Sequence, residues 1–244
     1  MAAHRTPWVT APPRSAFATA ERRLLDRLRT PSAVQAYLNA LPYNTEHGGE
    51  TLRSFRGVVR TGTAHCLEAA LFAAVVLEQH GFPPLVLSFE SVDLLDHVIF
   101  VYQRRGQWGS IARSRDPGLH GRQPLFATPR ALALSYVDPY VDYTGEVRGY
   151  AVVDMRRLGT YDWRFSAVNV WKAERLLLDY PHRRIRTVPS RIAQLRARYL
   201  RFRAEHPDVK PVYYRGRERW MPLPRDFRAA ETIERGRGAT TGAR

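Results

Sequence analysis

The 244-residue sequence predicts an α+β fold: an antiparallel sheet packed on a central buried helix that carries the chain's only cysteine, with extra helices around that core. Three stretches predict it. Residues 69–77 are apolar at every position, so a helix there has no solvent face and must be buried. Leu85-Val86-Leu87-Ser88-Phe89 and then residues 97–102 are β-branched and aromatic runs of strand length. Arg104-Arg105-Gly106 turns the second run into residues 107–112, which closes a hairpin.

Residues 1–14 read as a flexible arm. Pro7, Pro12 and Pro13 oppose helix, and no apolar stretch of signal-peptide type is present. Residues 15–29 form an amphipathic helix with Phe17, Leu24, Leu25 and Leu28 on its apolar side. Thr30 as N-cap and Pro31 as first helical residue open a second helix to about Ala40, which Leu41-Pro42-Tyr43-Asn44 ends. The stretch 44–57 is polar and precedes the cysteine.

Gly62 breaks what precedes it and Thr63 is the expected N-cap, which puts Cys66 in the first helical turn. Unpaired N–H groups and the positive end of the helix dipole favour a thiolate at that position. Leu67, Ala70, Leu71, Ala74 and Val75 follow helical spacing, and Gly81 is the expected stop. A lone cysteine is equally a small core residue. His97 heads a strand and shares a face with Ile99 and Val101, while Val98, Phe100 and Tyr102 share the other. It is either a strand-end hydrogen-bonding group or the base for a thiol. His65 adjoins Cys66, and neighbours at i, i+1 do not face each other on a helix, so it reads as a poor base that can still line the cleft or its rim. Glu68 is an acid suited to the helix start.

Gly62, Cys66, Gly81-Phe82-Pro83, His97 and Trp108, in that order, resemble the transglutaminase-like members of the papain-type cysteine-enzyme superfamily, over roughly residues 40 to 120. The Gly62-to-Cys66 spacing is longer than the family's usual Gly-x-Cys. The resemblance implies acyl transfer, with Cys66 as nucleophile and His97 as base, in a peptidase or amidase, or in a transglutaminase if an amine resolves the thioester. It implies a protein or peptide substrate and no cofactor or metal. The family's acid, four residues after the tryptophan, is replaced here by Ala112, so the ring-orienting role passes to Asp116, with Ser114, Asp93 and Asp96 as alternatives. Asn44 is the implied oxyanion donor beside the Cys66 N–H, and Trp108 and Ser114 are implied to bind substrate.

Residues 113–150 are rich in turns, with Arg113, Arg115, Arg122 and Arg130 among tyrosines. They read either as a surface connection or as a groove wall that favours a carboxylate-bearing substrate. A strand is expected over 150–155, then a helix ending near Asp179 with Trp171 buried. Pro189-Ser190 opens a basic helix with Ile192, Leu195 and Tyr199 on one side. Residues 211–227 carry Tyr213, Tyr214 and Trp220 among prolines and read as ordered coil. The expected organisation is one domain over 15–231, with a helical and aromatic extension from about 181, and a disordered tail over 232–244.

The formal net charge is +15, carried almost wholly by arginine, since Lys172 and Lys210 are the only lysines. That balance keeps open a second expectation: a non-catalytic scaffold that binds nucleic acid or another anionic partner. A single cysteine excludes an internal disulfide and a cysteine-based zinc site, and suits a cytoplasmic location. No stretch has the length of an apolar membrane span.

Overall fold

The computed structural model describes residues 10–94, 96–227 and 229–233. Most of the expected arm (1–9) and of the expected tail (234–244) lies outside the described residues, while residues 229–233 are helical.

The first elements are a 3-10 turn at Arg14–Ala16 and helices α1 (Thr19–Arg27) and α2 (Pro31–Ala40). The expected single helix over 15–29 is thus interrupted before Thr19, although Phe17, Leu24, Leu25 and Leu28 are all buried as its apolar side. The Thr30 hydroxyl accepts the Ala33 N–H at 3.2 Å, which makes it the cap of α2. Helix α3 (Phe55–Thr61) begins at the end of the polar stretch 44–57 and runs past it. Ser54 caps it, and Gly62 closes it with a left-handed φ of 67°.

Helix α4 (Cys66–Glu78) is the central helix, and every residue from Leu67 to Glu78 is buried. A 13-residue helix is marginal alone. Each of Leu67, Leu71, Phe72, Val75, Val76 and Leu77 adds roughly 1.5–3 kcal/mol on burial, so packing rather than propensity holds it. The helix ends two residues before the expected His80, and Gly81 (φ 85°) reverses the chain.

Strands β1 (Leu85–Ser91), β2 (His97–Arg104) and β3 (Gln107–Ile111) follow. Arg105 (φ 51°) and Gly106 (φ 77°) form the two-residue turn between β2 and β3, with Arg104 opposite Gln107. The chain continues through β4 (Arg122–Phe126), α5 (Pro129–Leu134), α6 (Val137–Tyr140), β5 (Val147–Asp154), α7 (Trp171–Leu178), β6 (Arg183–Arg184) and α8 (Pro189–Glu205). Trp171, expected to be buried, is exposed at the start of α7, where Ala173 and Leu177 face the core.

The six strands form one sheet in the order β4-β3-β2-β1-β5-β6, with every pairing antiparallel. The fold is therefore α+β, with an antiparallel sheet against the helix that carries Cys66. Val86, Val98, Phe100, Ala151 and Val153 face α4, with helices α1 to α3 outside it. Leu87, Phe89, Ile99 and Val101 face the opposite way, onto Leu132, Ala133, Tyr136 and Tyr140 of the 129–140 region. The period-2 alternation of β2 thus feeds two cores.

Much of the turn-rich region is interior. Arg122 is fully buried, its guanidinium 4.0 Å from the Tyr136 ring and 4.5 Å from that of Trp220. It donates to the carbonyls of His120 and Gly118, both at 2.6 Å. Residues 211–227 pack as ordered coil, with Val212, Trp220 and Met221 buried and Trp220 bridged to Arg122. Among the described residues no helix is long and apolar enough to cross a membrane.

Candidate active site

Cys66 is the first residue of α4 and His97 the first of β2. Their elements pack against each other, and both side chains border one cleft of about 230 Å³. The cysteine is partly buried. The imidazoles of His65 and His97 line the same cleft wall, and both act on its sulfur. Desolvation pushes the thiol pKa up, but the two imidazoles outweigh it and bring it down to about 5.

His65 lines the cleft, as the sequence allowed, but its backbone corrects the reading of how it stands to Cys66. Thr63 does not cap α4. His65 is the residue before the first helical one, with φ −90° and ψ −176°, so its backbone is extended and the i, i+1 argument for helices does not apply to it. Its side chain turns back over the helix start. Nε2–H donates to the Thr51 carbonyl at 2.9 Å and lies 3.6 Å from Glu68 Oε1. Burial works against its proton, but the hydrogen bond and charge of Cys66, then Glu68, raise its pKa to about 9. The sequence did hold a signal: Glu68 is three residues after His65, the spacing of an acid that closes a helix N-terminus onto its cap.

Glu68 organises this corner. Fully buried, it accepts hydrogen bonds from Asn44 Nδ2 and Thr51 Oγ1, both at 3.0 Å, and from the backbone N–H groups of Arg53 and His65. Asn44, the expected oxyanion donor, is committed elsewhere. Its Nδ2 donates to Thr51 at 2.7 Å and to Glu68, and the residue is absent from the cleft wall. The neighbouring Tyr43 lines the cleft instead, close to the Cys66 backbone N–H.

His97 packs on the face opposite α4, its ring 6.2 Å from that of Phe89 and nearly parallel to it. Nε2–H donates to the Leu119 carbonyl at 2.9 Å. A carbonyl only accepts, so Nε2 carries the hydrogen and Nδ1 is the nitrogen open to a further proton. Asp116, expected on this ring, lies in the cleft wall but pairs instead with Lys210 Nζ at 2.5 Å. Pro117 opens a 3-10 turn, Pro117–Leu119, that brings the Leu119 carbonyl rather than the Asp116 carboxylate to the imidazole. Ser114 lines the cleft, where its hydroxyl accepts the Asp116 N–H. Asp93 and Asp96 line it too, tied to Ser91 through the Ser91 hydroxyl and N–H respectively. Trp108 is not at this site. It borders a separate hollow with His80 and Phe82 near the other end of α4, about 20 Å away by helix rise.

The cleft differs in charge from the rest of the chain. Glu46, Asp93, Asp96, Asp116 and Asp142 line it, against Arg115 and Lys210. The expected arginine wall is not there, because Arg113 and Arg122 are buried structural groups and only Arg115 of that set reaches the cleft. No group of three or more His, Cys, Asp or Glu among the described residues is arranged to hold a metal ion.

No family model and no curated protein matches the chain. Solved structures of Legionella pneumophila LapG resemble it at low similarity. The EGTA-treated form is 12% identical with a TM-score of 0.35, covering 61% of this chain and 90% of LapG. A second LapG structure is 14% identical, with a TM-score of 0.34 and coverages of 61% and 88%. The calcium-bound form is 14% identical, with a TM-score of 0.33 and coverages of 68% and 93%.

Proposed function

We propose that this protein is a cysteine hydrolase or acyltransferase of transglutaminase-like type, acting on an amide of a protein or peptide through a Cys66 thiolate. The observation that carries the reading is the placement of Cys66 at a helix N-terminus, between two imidazoles, on the wall of an open cleft. Helix N–H groups and two potential imidazolium partners are what a nucleophilic thiolate needs at neutral pH.

In the proposed reaction the Cys66 thiol gives its proton to His97 Nδ1, the sulfur attacks the carbonyl carbon and the π pair moves onto oxygen. The tetrahedral species collapses, and the C–N bond breaks as His97 gives a proton to the leaving amine from Nδ1. Nε2–H remains on the Leu119 carbonyl throughout and keeps the ring in this orientation. A water, deprotonated by the same nitrogen, then cleaves the thioester; an amine in its place makes the protein a cross-linker. His65, held by Thr51 and Glu68, stays as a fixed positive charge beside the sulfur. In this scheme a main-chain carbonyl orients the base, and Asp116 shapes the rim.

The test is the pH dependence of Cys66 alkylation by iodoacetamide. An activated nucleophile gives a rate that rises through about pH 5. A rate that rises only near the ordinary thiol value, about 8.5, sinks the reading.

A further inference from the structure

We infer that Tyr43 is a catalytic residue of this site: its phenol, set on the Cys66 backbone N–H, supplies the second donor to the oxyanion. The inference rests on the acyl-transfer reading of Cys66 and adds to it the group that receives the developing charge.

The Tyr43 hydroxyl faces the Cys66 N–H, the backbone donor closest to any carbonyl under attack by that sulfur. In the resting site the phenol stands beside this N–H on the cleft wall, near the place an oxyanion would take. No described residue accepts its O–H proton, which is therefore free to be given to an oxygen in the cleft. Burial holds the phenol protonated, ahead of the opposing effect of Arg115, so it stays a donor across the working pH range. The ring is fixed from both ends. Its backbone pairs with Ala64 just before the helix start, and the guanidinium groups of Arg113 and Arg115 lie 5.7 and 6.0 Å from the ring centre. A substrate oxygen that approaches the N–H from the cleft also meets the phenol O–H. Asn44, which the sequence placed in this role, has both the wrong direction and no spare donor.

The probe pair is p-nitrophenyl acetate and iodoacetamide, applied to the full chain and to its Tyr43→Phe variant. In acylation the sulfur–carbon bond forms through an oxyanion, then the C–O bond breaks and p-nitrophenolate leaves with the electron pair. Alkylation displaces iodide at a tetrahedral carbon and forms no oxyanion. Loss of one oxyanion donor lowers the acylation rate constant by about 10²-fold while alkylation stays within about twofold across pH. That alkylation profile also reports whether the variant has kept its folded site. An unchanged or faster acylation overturns the assignment, and so does a parallel fall in both reactions, which would mean that Tyr43 acts on the thiolate. If the wild-type protein itself alkylates as an ordinary thiol, the acyl-transfer reading fails first and removes this one with it, a result distinct from either of the others.

Discussion

The Glu68 carboxylate binds His65 twice over, accepting its backbone N–H at 3.1 Å and lying 3.6 Å from its ring Nε2. One buried acid thus fixes both where α4 begins and which way the imidazole beside the sulfur turns. Glu68→Gln keeps the size but removes the charge. The expected outcome is a His65 pKa below about 9 and a Cys66 pKa above about 5, because a less charged imidazole stabilises the thiolate less. The alkylation profile moving to higher pH is the readout.

The same coupling runs in reverse. Cys66 contributes more than Glu68 to the raised His65 pKa. Cys66→Ser removes the thiolate, so His65 is expected to titrate lower, toward the 6.5 of a free imidazole. Histidine Cε1 proton shifts followed by NMR across pH 5–10 measure it. A His65 titration unmoved by Cys66→Ser would mean that the two do not interact.

At the far end of α4, Glu78 and Arg164 form a buried pair, joined by Arg164 Nε at 2.9 Å and Nη2 at 2.8 Å. Breaking it from one side strands a charge in the core. Glu78→Gln is expected to destabilise the protein by about 3–5 kcal/mol, and replacing both partners by apolar residues of similar volume to restore most of that. Urea midpoints for the two single variants and the double variant decide it. Equal loss in the double variant would show that the pair contributes net stability.

His120 is fully buried, and its Nε2–H donates to the Ser114 carbonyl at 2.9 Å. Burial first, then the charge of Arg113, depress its pKa to about 3. The unfolded chain takes up a proton near pH 6.5 that the folded chain refuses. Stability therefore falls as pH drops from about 6.5 toward 3, at up to about 1.4 kcal/mol per pH unit. His120→Gln is expected to flatten that limb of the curve of urea midpoint against pH.

Side-chain patterns made the centre of the fold readable. The apolar stretch of α4 and the alternation in β2 each require burial of a particular face, and the turn at Arg105-Gly106 requires left-handed backbone that glycine supplies. Cys66 and His97 could be picked out because both open such elements. The third partner of the imidazole was not legible. Leu119 contributes through its main-chain carbonyl, which every residue has, so no residue type marks it. Arg122 misled for a related reason. An arginine in a turn-rich stretch reads as surface, yet here carbonyls and two aromatic rings satisfy it in the interior. Helix α3 was hidden by the glycine and arginines of Phe55–Thr61; Ser54 and Gly62 bound it, and the packing of Phe55 and Val58 holds it.

Helix α4 has no side left to move toward. With Leu67 through Glu78 enclosed, a displacement of its axis would have to push the sheet and the surrounding helices together. The sulfur is in effect bolted to the chassis. Opposite it, Lys210, Pro211 and Tyr214 come from irregular chain and line the cleft, with Lys210 paired to Asp116 and Tyr214 packed on Tyr213 and Trp220. The cleft thus sets a sulfur on an enclosed helix against a rim built from irregular chain, so substitutions in the rim can reshape the cleft without moving the sulfur.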